Sequence, residues 1–424
     1  MVPLKIVIVG NGVTGMEAAL AVRAADRRAS LTIVSEESDH FFSRTALMYV
    51  LSGQLSRRDI EPFPRDLPTK LGFEICRARA VGIDPATKSV LLEGSHGSLT
   101  YDRLLIACGS RPRPPPWPGA AVEGIGHFVR LPDLDWLERE LRPDRRNAAQ
   151  KSPWVVGGGL IGLEVVETML SLGYRPKMAI RDEWLWPVAL DPREARFVEE
   201  RLRAHGVELF AHANVERFVG SPRVQGIVLD GVEHKADLVV VAIGVEPNTA
   251  WLHGGPVPLE GGAIVVDEGL MTALPDVFAA GDCAGILGPD GRHAPEQLWY
   301  TARDQGRIAG QRLLGQDARY RPGVPYNSAK LMDLEYTTVG WIPPAGQGES
   351  WFHHEQGKVE STLRIVHEAG RVRGLSAIGR RFDHAVIRGW IEAGLSVGAV
   401  LDRLREAAFD SEFVPPLVIP KEAR

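Results

Sequence analysis

Cysteine is scarce in this chain of 424 residues, occurring only as Cys76, Cys108 and Cys283. Three scattered thiols build no disulfide framework. No two are closely spaced, which excludes a zinc ribbon and a redox disulfide between sequence neighbours. Such usage fits a reducing cytosol, so a cytoplasmic protein is expected. Long apolar runs are also missing, and none approaches the roughly 18 residues a membrane helix needs. The first apolar stretch, 4–9, has one basic residue and no small-residue cleavage site, and it reads as a strand, not a signal peptide. Charge of one sign is lacking as well: 49 Lys and Arg face 54 Asp and Glu, a net charge of −5. That balance exerts no global pull on nucleic acid or an anionic membrane. The histidines, His353-His354 included, lack metal-ligand spacing, so no metal centre is expected. What remains is ordinary for a soluble protein of two to four domains, with 44% hydrophobic and 24% charged residues.

Glycine is where the sequence becomes specific. The apolar stretch Lys5–Val9 runs into Gly10-Asn11-Gly12-Val13-Thr14-Gly15, and an alanine-rich segment of helical periodicity follows. A second apolar strand, 31–34, closes with Ser35-Glu36. This is strand, glycine turn, helix and strand within the length of one βαβ unit. The same order returns about 147 residues later, with 154–156 leading into Gly157-Gly158-Gly159-Leu160-Ile161-Gly162-Leu163-Glu164 and on to a short strand, 178–180. A lone G-x-G-x-x-G is weak evidence, but here each follows a strand and opens a helix. In such a turn one glycine makes the bend, one lets a pyrophosphate approach the backbone, and one lets helix pack on strand. The helix N-terminus then favours the phosphate charge. Glu36 lies 21 residues after Gly15, where an acid would bond a ribose diol.

Between the two units, 111–119 is too proline-rich to continue a helix or central strand and is expected to be a stiff crossover, with a matching one at 245–248. Beyond residue 326 strand-like runs (337–341, 362–366) give way to two amphipathic helices, 383–393 and 397–408. An extended tail is expected after Phe413.

Three further segments fall in register with the glycine turns. They are Leu104-Leu105-Ile106-Ala107-Cys108-Gly109, Val240-Val241-Ala242-Ile243-Gly244-Val245-Glu246-Pro247 and Val277-Phe278-Ala279-Ala280-Gly281-Asp282-Cys283-Ala284. In this order the five motifs resemble the FAD- and NAD(P)H-dependent pyridine nucleotide–disulfide oxidoreductase superfamily. The likeness is greatest to the branch without a redox disulfide, that of ferredoxin and rubredoxin reductases and the nitrite reductase flavin domain. The resemblance covers the chain to about residue 420. It implies an α/β fold with two Rossmann-like dinucleotide-binding domains and a C-terminal α+β domain. The FAD domain would take 1–117 and 248–325, the NAD(P)H domain 118–247, and the C-terminal domain 326–424.

The resemblance also implies a set of site residues. For FAD these are Gly10, Gly12, Val13, Thr14, Gly15, Glu36, Arg44 and Val81, then Cys108 and Gly109 at the second strand end, Gly281 and Asp282 at the third, and Gln297 and Trp299 where a late helix begins. For NAD(P)H they are Gly157, Gly159, Leu160, Ile161, Gly162, Arg181 and Gly244. Arg44 and Glu164 are expected as an ion pair beside flavin N5 and as the catalytic residues of hydride transfer. Disulfide-reducing relatives carry cysteine in the region that here reads Phe42-Ser43-Arg44-Thr45-Ala46-Leu47-Met48-Tyr49, so thiol-based chemistry is not expected. Cys108 and Cys283 read as small buried residues standing in for Thr or Ala. Arg181 near the end of the second unit's strand suits a 2′-phosphate and favours NADPH, although a slip onto Asp182 or Glu183 would reverse that preference. The implied activity passes electrons from NAD(P)H through FAD to an acceptor. The acceptor is a small electron-carrier protein or partner subunit; the alternatives are an NAD(P)H oxidase or quinone reductase, and a redox sensor acting through assembly. A homodimer is left open.

Overall fold

The computed structural model describes residues 2–141, 148, 150–344, 347–356, 359–409, 412, 415, 417 and 419. Most of the expected tail after Phe413 lies outside them. The chain divides into two compact units. The first comprises residues 1–113, 129–134 and 245–322, and the second comprises 114–128, 135–244 and 323–424.

The first unit is built on a five-stranded parallel sheet, in the order Val277–Ala279, Arg103–Ile106, Lys5–Val9, Ser30–Ser35, Glu74–Arg77. Its strands are near-continuous apolar runs because both faces are covered, as in other all-parallel sheets. Ile8, Leu104, Leu105 and Ile106 are fully buried. Between the first glycine turn and the second strand runs the helix Val13–Ala25. The helix Trp299–Leu313 packs directly on it, through glycines. A Cβ on Gly306 would lie 2.5 Å from the Thr14 carbonyl oxygen, and one on Gly310 would lie 2.6 Å from that of Ala18. The edge strand Glu74–Arg77 has no clear signature in the sequence.

The second unit repeats the theme with Glu208–Phe210, Lys177–Ala179, Pro153–Val156, Leu238–Val241 and Ile125–Gly126, again all parallel. It also contains the C-terminal antiparallel sheet, in the order Tyr326–Leu331, Leu334–Gly340, Arg371–Ile378, Ser361–Glu368, Glu349–Glu355. The helices His384–Glu392 and Val397–Arg403 contribute Ile387, Trp390 and Val400 to its core. Both are shorter than the periodicity suggests, and a 3-10 turn, Leu404–Ala407, takes the end of the second. The helix Pro192–Ala204 carries a capping box, Asp191 with Glu194. Glu194 also forms a 2.9 Å ion pair with Arg364 on the C-terminal sheet, and both side chains are almost fully buried. At the starts of the two expected crossovers, within the first unit, Ser110–Pro112 and Val245–Pro247 pair as a two-stranded antiparallel ribbon.

Candidate cofactor sites

In the first unit the glycine turn is shaped by close backbone contacts. Gly10 has φ +119°, and a Cβ there would stand 2.0 Å from the Ala107 carbonyl oxygen; one on Gly15 would stand 2.0 Å from that of Gly10. Only the middle glycine faces open space, since a Cβ on Gly12 meets nothing within 4 Å. Gly12 caps the helix without any side-chain hydrogen bond. The first-turn amides therefore remain for an anion, which the helix dipole favours. Thr14 donates to the Ala302 carbonyl oxygen at 3.0 Å, tying the turn to the late helix.

The third strand end closes over this turn. Gly281 has φ +79°, and a Cβ on it would sit 2.3 Å from Thr14 Oγ1. Its amide donates to Gln305 Oε1 at 2.7 Å. Gln305 in turn donates to Glu296, which also accepts from the Tyr320 hydroxyl. Asp282 accepts from Ser110 Oγ at 2.8 Å. Burial pushes its carboxyl above the ordinary range, while the Ser110 hydrogen bond and the charge of Arg44 pull it back. Asn11 Oδ1 and Gln297 Nε2 are buried with no hydrogen-bond partner in the structure. Asn11 lies in the open glycine turn and Gln297 just before the helix Trp299–Leu313 that packs against the turn's helix, and such unpartnered amide atoms are what a polar dinucleotide would satisfy. The residues thus fit FAD. Glu36 stands exposed at its strand end, 3.4 Å from Arg79, and Val81 is exposed on the strand Ala80–Asp84. Trp299 is exposed, with Arg303 over its ring and Tyr300 edge-on to it.

Within the first unit Arg44 places its guanidinium on Glu37, at 2.7 and 3.1 Å, and on the Val129 carbonyl oxygen at 2.8 Å. Glu37 is itself held by the Leu131 amide at 2.6 Å. A carboxylate seven residues upstream, fixed in the same unit, claims the arginine. Glu37 carries no sequence signal that would have singled it out.

The second unit's turn has the same construction. A Cβ on Gly157 would lie 2.3 Å from the Ala242 carbonyl oxygen and one on Gly162 would lie 2.2 Å from that of Gly157, whereas Gly159 faces open space. Gly159 caps the helix Leu160–Ser171, again without a side-chain bond. Gly244 bends the chain with φ +99° at the end of the neighbouring strand. At the end of the strand Lys177–Ala179, Ile180 is buried against Gly158, and Arg181 is the first exposed side chain, with Asp182 3.8 Å away. Glu164 lies on the second turn's helix. Burial, and then the charge of Glu167, push its carboxyl up to about 7. Glu167 accepts from the Met332 amide and pairs with Lys330.

Two glycine turns of this kind, each at the end of a parallel sheet, define a protein that binds two dinucleotides. The family description Pyridine nucleotide-disulphide oxidoreductase matches residues 4–306, and the chain belongs to this family. It is 31% identical over 417 residues to the 5,5'-dehydrodivanillate O-demethylase ferredoxin reductase subunit of Sphingobium, with 94% of this chain and 95% of that one covered. It is 26% identical over 349 residues to the NADH oxidase of Methanocaldococcus jannaschii, with 80% and 76% covered. Among solved structures, a NAD-dependent persulfide reductase from A. fulgidus superposes with a TM-score of 0.84 at 25% identity, covering 94% of this chain and 79% of that one. The protein is an FAD-dependent NAD(P)H oxidoreductase. Among the described residues, no helix is long and apolar enough to cross a membrane.

Asp282→Ala is expected to weaken FAD binding by about 10- to 100-fold, since a hydrogen bond to a charged group contributes roughly 1.5–3 kcal/mol. Flavin fluorescence during reconstitution of the apoprotein measures it, and an unchanged dissociation constant would remove Asp282 from the site.

Proposed function

We propose that this protein takes hydride from NADPH and delivers electrons singly to a small iron–sulfur carrier protein or partner subunit. Bound FAD supplies the chemistry, accepting hydride and releasing electrons one at a time. The observation that carries the reading is the segment after the second strand. There Ser43, Arg44 and Thr45 stand where disulfide-reducing members hold cysteine, and the arginine is locked to Glu37. A side chain that cannot become a thiolate sends the electrons outward. The Sphingobium relative, a ferredoxin reductase subunit by name, supports a protein acceptor. Residues 1–117 with 248–325 are assigned to FAD, 118–247 to NADPH and 326–424 to the C-terminal domain. Arg44 keeps a positive charge toward Asp282 at the FAD site, and Glu164 lies on the helix that receives the nicotinamide nucleotide.

The preference for NADPH rests on Ile180 and Arg181. An apolar buried residue stands where a discriminating acid would be, and an exposed guanidinium follows it. Arg181→Ala is expected to raise KM for NADPH about tenfold and leave KM for NADH unchanged. Stopped-flow comparison of a [2Fe–2S] ferredoxin, a rubredoxin, a quinone and oxygen as acceptors tests the main reading. Reduction of one carrier well above the oxygen rate is expected. Turnover accounted for wholly by oxygen consumption would instead favour the oxidase reading that the Methanocaldococcus relative's name suggests.

A further inference from the structure

Cys108 and Cys283 are far apart in the chain, yet the fold brings them to neighbouring strand ends, close enough that each thiol is the first influence on the other's ionisation. The strands that carry them, Arg103–Ile106 and Val277–Ala279, are parallel neighbours with Ile106 opposite Ala279. Cys108 lies two residues past the first strand's end and Cys283 four past the second's. The extra length is taken up by a turn at Gly281, closed by the Ala284 amide on the Gly281 carbonyl at 2.9 Å. That turn places Cys283 Sγ 3.4 Å from the carbonyl oxygens of both Ile106 and Ala280. Cys283 is fully buried and Cys108 is partly exposed. Cys76 belongs to the opposite edge strand of the same sheet, so it is no competitor for either sulfur. Neighbouring strands lie about 4.8 Å apart, within the span of Cα separations a disulfide bridges.

We propose that Cys108 and Cys283 form a reversible intramolecular disulfide, a redox modification site that clamps together the two strand ends bearing Gly109 and Asp282. The oxidant is a hydroperoxide. One thiol sulfur attacks the peroxide oxygen, the O–O bond breaks, and one water (or alcohol) leaves, with that sulfur now a sulfenic acid. The second sulfur attacks the first, the S–O bond breaks and another water leaves as the S–S bond forms. Two electrons pass from the two sulfurs to the peroxide, and the two thiol protons end in the waters. A small dithiol reverses the change by exchange. This pair differs from the thiols of disulfide-reducing relatives, which the 42–49 segment lacks.

The test needs no turnover, so its outcome is independent of the acceptor proposed above. The FAD-loaded protein is treated with a small excess of hydrogen peroxide, unfolded in the presence of N-ethylmaleimide and weighed by mass spectrometry. Adducts are expected to fall from three to one, with a tryptic species joining the peptides of Cys108 and Cys283, and dithiothreitol should restore three. Cys108→Ser and Cys283→Ser should each keep no intramolecular link after the same treatment. Three adducts on treated wild-type protein, a link through Cys76, or a lone sulfinic acid at either position would each overturn the proposal. The wild-type peptide map decides even if a variant fails to fold.

Discussion

Arg364→Ala is expected to destabilise the second unit by about 3–5 kcal/mol, the usual consequence of leaving a buried charge without its partner. Glu194 has no route to water. Its residue is fully buried on the helix Pro192–Ala204, and burial already raises its carboxyl above the ordinary range despite the nearby arginine. Arg364 is buried too and donates a hydrogen bond to the Ala189 carbonyl oxygen at 2.9 Å. The pair joins the Rossmann part of the unit to the C-terminal sheet. Urea unfolding followed by intrinsic fluorescence measures the loss. The double replacement Glu194→Leu with Arg364→Met should recover most of it, because two apolar side chains of similar volume remove the desolvation cost together. A single variant as stable as the parent would show that the carboxyl is already neutral and the arginine dispensable.

The second large effect is a pH dependence centred on Glu164. Its carboxyl holds a proton up to about pH 7 in the folded protein, against an ordinary value of 4.5 when unfolded. Between those two values the folded state binds more protons than the unfolded state, so stability falls as pH rises through that window. The stabilising contribution is complete below the unfolded value and is lost above pH 7. A shift of this size corresponds to about 3 kcal/mol, with each pK unit equal to 1.36 kcal/mol. Glu164→Gln, which cannot ionise, should therefore match the parent at pH 5 and exceed it at pH 8. The comparison requires protein free of nucleotide, since a ligand's charge would alter the same equilibrium. Equal pH slopes for parent and variant would mean that Glu164 titrates normally.

Much of this architecture was legible because glycine turns, apolar strands and proline crossovers are local. Gly15 and Gly162 are required by the carbonyls of Gly10 and Gly157 within the same turn, whereas Gly10 and Gly157 themselves meet Ala107 and Ala242 at neighbouring strand ends; Asp282 sits in a short motif of its own. The features that escaped the sequence depend on distant partners. Arg44 finds Glu37 because the Leu131 amide fixes that carboxylate, a contact that spacing does not encode. Glu194 sits in a helix so rich in charge that it resembles a solvated face, and only the arriving C-terminal sheet buries it. Cys108 and Cys283 read as isolated small residues, since sequence separation says nothing about two strands that become neighbours. The edge strand Glu74–Arg77 is half polar and too short to show a period.

The glycine contacts between the helices Val13–Ala25 and Trp299–Leu313 have a consequence for the order of synthesis. The first of these helices emerges early, but its packing partner lies near the far end of the first unit, after nearly the whole second Rossmann segment. At ribosomal speeds of about 5–20 residues per second, the nascent helix waits on the order of 15–60 s for the surface that Gly306 and Gly310 provide. The edge strand Val277–Ala279 arrives only slightly sooner. The segment 135–244 has all of its parallel strands but Ile125–Gly126 within itself, and that strand precedes it. It can therefore close while the first unit is still an incomplete sheet with an exposed edge. The part of the chain made first is thus among the last to be finished, and its unpaired apolar strand is the segment a chaperone would have to shield.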